Sequence, residues 1–230
     1  MKKILFINQD ITPYVEETQM SVMSRDTSCG IQDAGFETRT FMPKWGIINE
    51  RRGQLHEVIR LSGINISIGD NDLPLLIKVA SIVGTKVQVY FIENEELYGK
   101  KTIKKSHSKD GIHAEFFARG VIETVKKLRW SPDIIHCQGT ITHQVPYLLK
   151  KLYKDEPTVC RAKVITTLFE KDSIKTAQAA IDNSDGIILA SDQHNKNLLR
   201  YIEESKLKAK ILKNVGEDYI NKYIEFYNKI

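Results

Sequence analysis

Two histidines, His136 and His143, are separated by six residues, the first of them inside a short apolar run, Ile134-Ile135-His136-Cys137. At the end of a strand they could face a common cleft and share a proton or a ligand, because open α/β sheets bind ligands beyond the carboxyl ends of their strands. The plainer reading, and the favoured one, makes His136 a core histidine bonded to backbone and His143 a helix-surface residue. Lys100, Lys101, Lys104, Lys105 and Lys109 crowd one segment that could meet phosphates. No aromatic residue is interleaved with them, so a solvated loop is the better reading. Asp70-Asn71-Asp72 imitates an acidic metal triplet, but the following Pro74 points to a solvated turn. Tyr90, Phe91, Tyr98, Phe116 and Phe117 could offer stacking faces to sugars. Phe116 and Phe117 read as core, whereas Tyr98, in a polar stretch, is open to either role.

Several chemistries are absent. There is no G-x-G fingerprint, no G-K-[ST] phosphate loop and no G-x-S-x-G elbow, and His56-Glu57 lacks the second histidine of a zinc-protease helix. Cys29, Cys137 and Cys160 have no C-x-x-C spacing and are odd in number, which points to reduced thiols and a cytoplasmic chain. The net charge of +5 over 230 residues is mild, and the 41% apolar and 27% charged fractions suit a folded globular protein. The four-residue apolar run after Lys3 is too short for a signal peptide, and no stretch reaches the roughly 18 apolar residues of a membrane span. No metal ligand set, cofactor motif or membrane partner is expected.

The elements that would position these residues alternate. Strands are predicted at Ile4–Asn8, Glu37–Met42, Gly63–Ile68, Ile134–Cys137, Lys163–Leu168 and Gly186–Ala190. Leu73–Ile82 and Lys86–Phe91 form a hairpin about Val83-Gly84-Thr85. Helices are predicted at Ser21–Asp33, at Ile112–Trp130, after Cys137 to near Tyr153, and at Ser173–Asp182. Another runs from a Ser191 cap to Glu203, and the last is amphipathic through Ile220, Tyr223, Ile224 and Tyr227. This pattern implies an α/β fold: a Rossmann-like, mostly parallel sheet with helices on both faces, in one domain over residues 1–230. The polar segment Asn94–Asp110 reads as a mobile surface loop.

Ile4-Leu5-Phe6-Ile7-Asn8-Gln9-Asp10-Ile11-Thr12-Pro13-Tyr14 resembles the opening of glycogen and starch synthases. Glu37-Thr38-Arg39-Thr40-Phe41-Met42-Pro43-Lys44-Trp45-Gly46 is similar to the family's second strand and turn, and Phe116–Glu123 to its long helix. Trp130-Ser131-Pro132-Asp133-Ile134-Ile135-His136-Cys137 resembles its tryptophan-to-cysteine run, the most specific of these matches, and Asp185-Gly186-Ile187-Ile188 a later strand. Ile48–Gly63 is similar to a short branch found in Bacteroidetes. The resemblance implies the N-terminal half of a GT-B glycosyltransferase, the half that receives the acceptor α-glucan. The other half binds ADP-glucose or UDP-glucose, and this chain has room for only one half. The last helix, Glu217–Ile230, reads as a finished end.

The departures fall on the sites that the resemblance brings. Where the family has lysine-x-glycine-glycine, the chain has Glu16-Glu17-Thr18-Gln19, a carboxylate where a cation holds phosphate. Gln138 replaces the histidine that contacts the donor sugar, Thr140 an aromatic, and Phe169 the histidine of a third motif. Asp10, Tyr14, Glu16, Gln138, Thr140 and Phe169 are therefore the positions expected to meet sugar, with no catalytic residue among them. The expectation is a noncatalytic relative that binds α-glucan or a protein partner. The first alternative is the acceptor half of a split glucosyltransferase completed by a separate nucleotide-sugar-binding chain. The second is a basic module acting through the lysine-rich loop, although nucleic acid is a disfavoured partner.

Overall fold

The structure, a computed structural model, describes residues 1–99, 111–204, 210–213, 216 and 218–230. The lysine-rich stretch expected to form a basic loop lies outside the described residues. Ten strands form one sheet: β1 (Lys3–Asn8), β2 (Glu37–Pro43), β3 (His56–Glu57), β4 (Ile64–Ile68), β5 (Asn71–Ser81), β6 (Gln88–Glu93), β7 (Ile134–Gln138), β8 (Lys163–Leu168), β9 (Gly186–Leu189) and β10 (Lys210–Leu212). Their order is β10-β9-β8-β7-β1-β2-β6-β5-β3, with β4 also paired to β5. From β10 to β6 all pairing is parallel; β5 is antiparallel to β6, β3 and β4. The predicted hairpin is present as β5 and β6.

Among the described residues there are eight α-helices: α1 (Gln19–Asp33), α2 (Glu50–Gly53), α3 (Glu95–Tyr98), α4 (Gly111–Lys127), α5 (Val145–Lys151), α6 (Ile174–Asn183), α7 (Lys196–Glu204) and α8 (Tyr219–Lys229). A 3-10 turn, Thr140–Thr142, precedes α5, where a single helix was expected. Thr18 and Ser173 cap α1 and α6 in reciprocal capping boxes with Ser21 and Thr176. Ser191 is not the cap of α7. Asn195 Oδ1 accepts from the N–H groups of Asn197 and Leu198 at 2.9 and 3.4 Å, while Ser191 Oγ accepts from Gln193 N–H at 3.0 Å. The polar residue adjoining the helix wins over the one four residues upstream, because a cap reaches only two or three residues forward.

The helices divide between the two faces. Leu5, Ile7, Phe41, Ile135 and Cys137 share one core with Phe116, Phe117, Val121 and Val125 of α4 and with Val145 and Leu148 of α5. Ile4, Phe6, Ile134, Ile165 and Ile188 face the other way, against Ile31 of α1 and Tyr223, Phe226 and Tyr227 of α8. This is the period-2 alternation of strands buried on both faces. At Gly186 an added Cβ would stand 2.4 Å from Ile230 Cδ1 and 2.9 Å from Phe226 Cε1, so α8 lies close against β9. Part of the segment expected to be a polar loop is ordered and inward. Tyr98 is fully buried in α3, its ring edge-on to Trp45 and its hydroxyl donating to His113 O at 2.7 Å, so it presents no stacking face to a ligand. Its ring carries enough apolar area to outweigh the polar residues around it.

Candidate functional site

The sheet reverses its winding at β1, which has β2 on one side and β7 on the other. A crevice forms beyond the carboxyl ends of the strands at such a point, because the two connections leave in opposite directions. Here a cavity of about 260 Å³ is lined by Asp10, Thr18, Gln19, Met20, Phe169, Glu170 and Lys171. It lies between the end of β1, the first turn of α1 and the turn after β8.

The walls are fixed from several directions. Gln9 follows β1; its carbonyl accepts from Trp45 Nε1 at 3.0 Å and its side-chain oxygen from Ile141 N–H at 3.2 Å. It thereby ties the first strand to the turns after β2 and β7. Gly139 has φ of +97°, and an added Cβ would fall 2.5 Å from Gln9 Cβ and 2.9 Å from Met20 Sδ. Only glycine fits both the backbone angle and the space there. Ser21 Oγ donates to Glu16 O at 2.8 Å and holds the loop that enters α1.

Asp172 organises the opposite wall. Buried in the turn after β8, it accepts from Phe169 N–H at 2.8 Å and from Thr140 Oγ1 at 3.2 Å. His143 Nε2 lies 3.9 Å from its Oδ2, and His143 Nδ1–H donates to Thr176 O at 2.9 Å. His143 is therefore buried between two turns and is not on a helix surface. The helix expected to expose it is replaced at that point by the 3-10 turn. The sequence reading missed Asp172. Its position between a strand end and the Ser173 cap, where aspartate closes tight turns, was the available signal.

His136 is a core histidine, as expected, but its partners are side chains and not backbone. Its ring nitrogens lie 2.6 Å from Tyr227 Oη and 2.7 Å from Thr167 Oγ1. Burial pulls its pKa down to about 3, so the ring is neutral at physiological pH. The two histidines do not share a cleft, because β7 points His136 into the α8 layer.

Of the positions expected to meet sugar, Asp10 and Phe169 line the cavity. Gln138 ends β7, fully buried, and Thr140 is held by Asp172. Glu16 is exposed on the loop two residues before Thr18. Tyr14 packs edge-on against Phe91 with centroids 4.9 Å apart, away from the cavity lining, and burial raises its pKa to about 12. Among the lining side chains two carboxylates, Asp10 and Glu170, stand against one cation, Lys171. That balance suits an uncharged ligand better than a diphosphate. No group of three or more potential metal ligands occurs among the described residues. No helix among them is long and apolar enough to cross a membrane.

A mostly parallel sheet with a crevice at its switch point defines the chain as a Rossmann-like α/β protein. The chain belongs to the starch synthase catalytic domain family, which it matches over residues 3–172. It is 35% identical over 172 residues to a glycogen synthase of Chlorobaculum tepidum, covering 72% of this chain and 35% of that protein. A glycogen synthase of Chlorobium phaeovibrioides is 34% identical over 159 residues, covering 66% of this chain and 32% of that one. The chain thus spans about a third of the length of these relatives. The catalytic domain of starch synthase IV from Arabidopsis thaliana, bound to ADP and acarbose, superposes with a TM-score of 0.71 at 15% identity. That superposition takes in 99% of this chain and 50% of the plant domain, so the fold corresponds to half of a GT-B enzyme.

Proposed function

We propose that this member of the family takes a neutral α-glucan in the cleft at the end of β1 and does not by itself transfer glucose. The supporting observation is the cleft's chemistry: Asp10 and Glu170 outnumber Lys171 on its walls, Glu16 stands on its entry loop, and the neutral Gln138 ends β7. Retaining transfer requires positive or hydrogen-bonding groups on the departing diphosphate, each contact contributing about 3 kcal/mol to the transition state. A carboxylate-rich wall opposes that charge, whereas it accepts hydrogen bonds from sugar hydroxyls. Calorimetric titration with maltoheptaose and, separately, with ADP-glucose tests the reading. Binding of the glucan alone is expected. Binding of ADP-glucose, or silence toward the glucan at millimolar concentration, overturns it.

A second reading rests on the family match over residues 3–172. In it the chain is the acceptor half of a split transferase, completed by a nucleotide-sugar-binding chain. A stable complex would bury on the order of 1,000 Å² or more. Copurification with such a chain supports this reading, and a monodisperse monomer from native cells opposes it.

A further inference from the structure

The strands β1, β2, β6, β7, β8, β9 and β10 run parallel, so their amino ends share one edge of the sheet, opposite the cleft. The turns that feed them gather there: the residues before β1, the hairpin turn before β6, the end of α4 before β7, and the stretch from the last turn of α5 to β8. Among the described residues, the large apolar side chains more than half exposed are Met1 at 90%, Val83 at 85%, Ile59 and Leu152 at 53%. All but Ile59, which lies beyond β3, stand on these turns. At the hairpin tip Gly84 takes φ of +78°, and a Cβ added to it would meet no atom within 4 Å. The turn that carries Val83 therefore stands clear of the body. Single exposed apolar residues are ordinary, but a set collected on one edge beside cations is not.

The same turns carry Lys86, Arg129, Lys150, Lys151 and Arg161, all exposed and without an ion pair among the described residues. Most carboxylates of this edge are already engaged. Glu37 accepts from Trp130 Nε1 at 2.5 Å, Asp133 from Lys3 N–H at 2.7 Å and Asp185 from Val164 N–H at 2.9 Å, while Asp155 and Glu156 stand by Lys154 and Lys126. Cations in a helix's last turn oppose its dipole, which accounts for Lys150 and Lys151. It does not account for Lys86 in a hairpin or Arg161 ahead of β8, nor for the apolar tips between them. The two described cavities open beyond the carboxyl ends of the strands, and what this edge presents is projecting tips. A groove suits a peptide; tips ringed by cations suit a plane of anionic headgroups, where apolar ends sink and charged ends stay with the phosphates.

We propose that the amino edge of the sheet docks this chain on an anionic lipid surface, Val83 and Leu152 entering the interface and Lys86, Arg129, Lys150, Lys151 and Arg161 meeting the headgroup charge. The proposal is independent of the α-glucan reading. Docked in this way, the chain turns its cleft toward solvent, because the carboxyl ends of the parallel strands face away from the contact. The expectation of no membrane partner rested on the lack of a spanning stretch, and a surface contact needs none.

Cosedimentation of the full chain with vesicles of equal parts phosphatidylcholine and phosphatidylglycerol tests it, with pure phosphatidylcholine vesicles alongside. At about 0.1 M salt the chain should pellet with the anionic vesicles and stay in solution with the neutral ones, and about 1 M salt should release it. One cation near an anionic surface contributes about fivefold in binding, so Lys86→Glu with Arg161→Glu should weaken it at least about twentyfold. Lys150→Glu with Lys151→Glu is a second pair with the same expectation. Val83→Ser with Leu152→Ser should weaken it at least about threefold. Arg51→Glu with Arg52→Glu makes the same change of charge on α2, at the opposite end, and should leave binding within about threefold. All these positions are exposed or on turns, so each variant should melt within about 3 °C of wild type. Failure to pellet with the anionic vesicles overturns the proposal. So does an equal loss in the α2 control, or binding indifferent to Val83 and Leu152. Retention on immobilised polyglutamate without vesicle binding overturns it too and gives the edge to an acidic polypeptide.

Discussion

On one face of the sheet, Leu5, Ile7, Phe41 and Cys137 meet Phe116, Phe117 and Val121 in an apolar layer. On the other, Asn8, Thr40 and Gln138 lie under a helix whose buried side chains include Ser21, Ser24, Thr27 and Ser28. The same strands supply both faces, so the difference is one of alternating residues and not of backbone. Dispersion and burial hold the first layer together. Among the described residues the second keeps several buried polar atoms unpartnered: both amide atoms of Asn8 and of Gln138, and the hydroxyls of Ser24, Thr27 and Thr40. Such groups reduce stability. They gather on the α1 side of the sheet, whereas the α8 side of the same face, with Phe6, Ile165, Tyr223 and Phe226, is packed as an apolar core.

The largest effect should come from breaking the apolar side. Phe117→Ala removes a fully buried ring and should cost about 3–5 kcal/mol in denaturant unfolding. A cost below about 1 kcal/mol would show that this layer is not the stabilising one. Next in size is Gly186→Ala, which drives a methyl into Phe226 and Ile230 and should cost about 1–3 kcal/mol. Limited proteolysis should then release α8 while the α4 layer stays protected.

The third prediction concerns His136, which ties β7 to Tyr227 on the polar side. Its pKa is near 3 in the folded chain and about 6.5 when unfolded, so below pH 6.5 the unfolded chain takes up a proton that the folded one refuses. Stability should be indifferent to this group above pH 6.5 and should fall by at most about 1.4 kcal/mol per unit between pH 6.5 and 3. Unfolding midpoints across that window, with His136→Leu as the comparison, measure it. A slope unaltered by the substitution would mean that the ring does not titrate as its burial dictates.

The sequence carries the apolar side of this comparison openly and the polar side hardly at all. Lys163–Leu168 reads as a strand to the residue because five of its six positions are buried and flanked by polar breaks. The α4 helix is equally plain, since its apolar stripe faces one core. β3 and β10, two and three residues long, are too short to show a period. His143 looks like a surface residue until Thr176, thirty-three residues later, accepts its N–H. Asn8 is inconspicuous for a different reason. A polar residue at a strand end is ordinary, and what sets this one apart is the partner it lacks, a property of the packed chain and not of any local pattern. Composition can name the groups that will be buried, but only the tertiary arrangement decides which are satisfied.

The smallest predicted effect tests that distinction most directly. Thr27 in α1 and Thr124 in α4 are both fully buried helix residues on opposite sides of the sheet. Thr124 Oγ1 donates to Gly120 O at 2.7 Å, whereas Thr27 Oγ1 has no partner among the described residues. Replacing each by valine makes the same change of hydroxyl for methyl at nearly constant volume. Thr124→Val should lose about 1 kcal/mol, the net value of one buried hydrogen bond. Thr27→Val should lose nothing, or gain up to about 1 kcal/mol, because it removes a buried polar atom that bonds to nothing in the fold. Paired urea titrations give both values on one scale. Equal losses in the two variants would mean that the α1 layer is satisfied by groups other than its own side chains, and the contrast between the two faces would then be one of hydration and not of saturation.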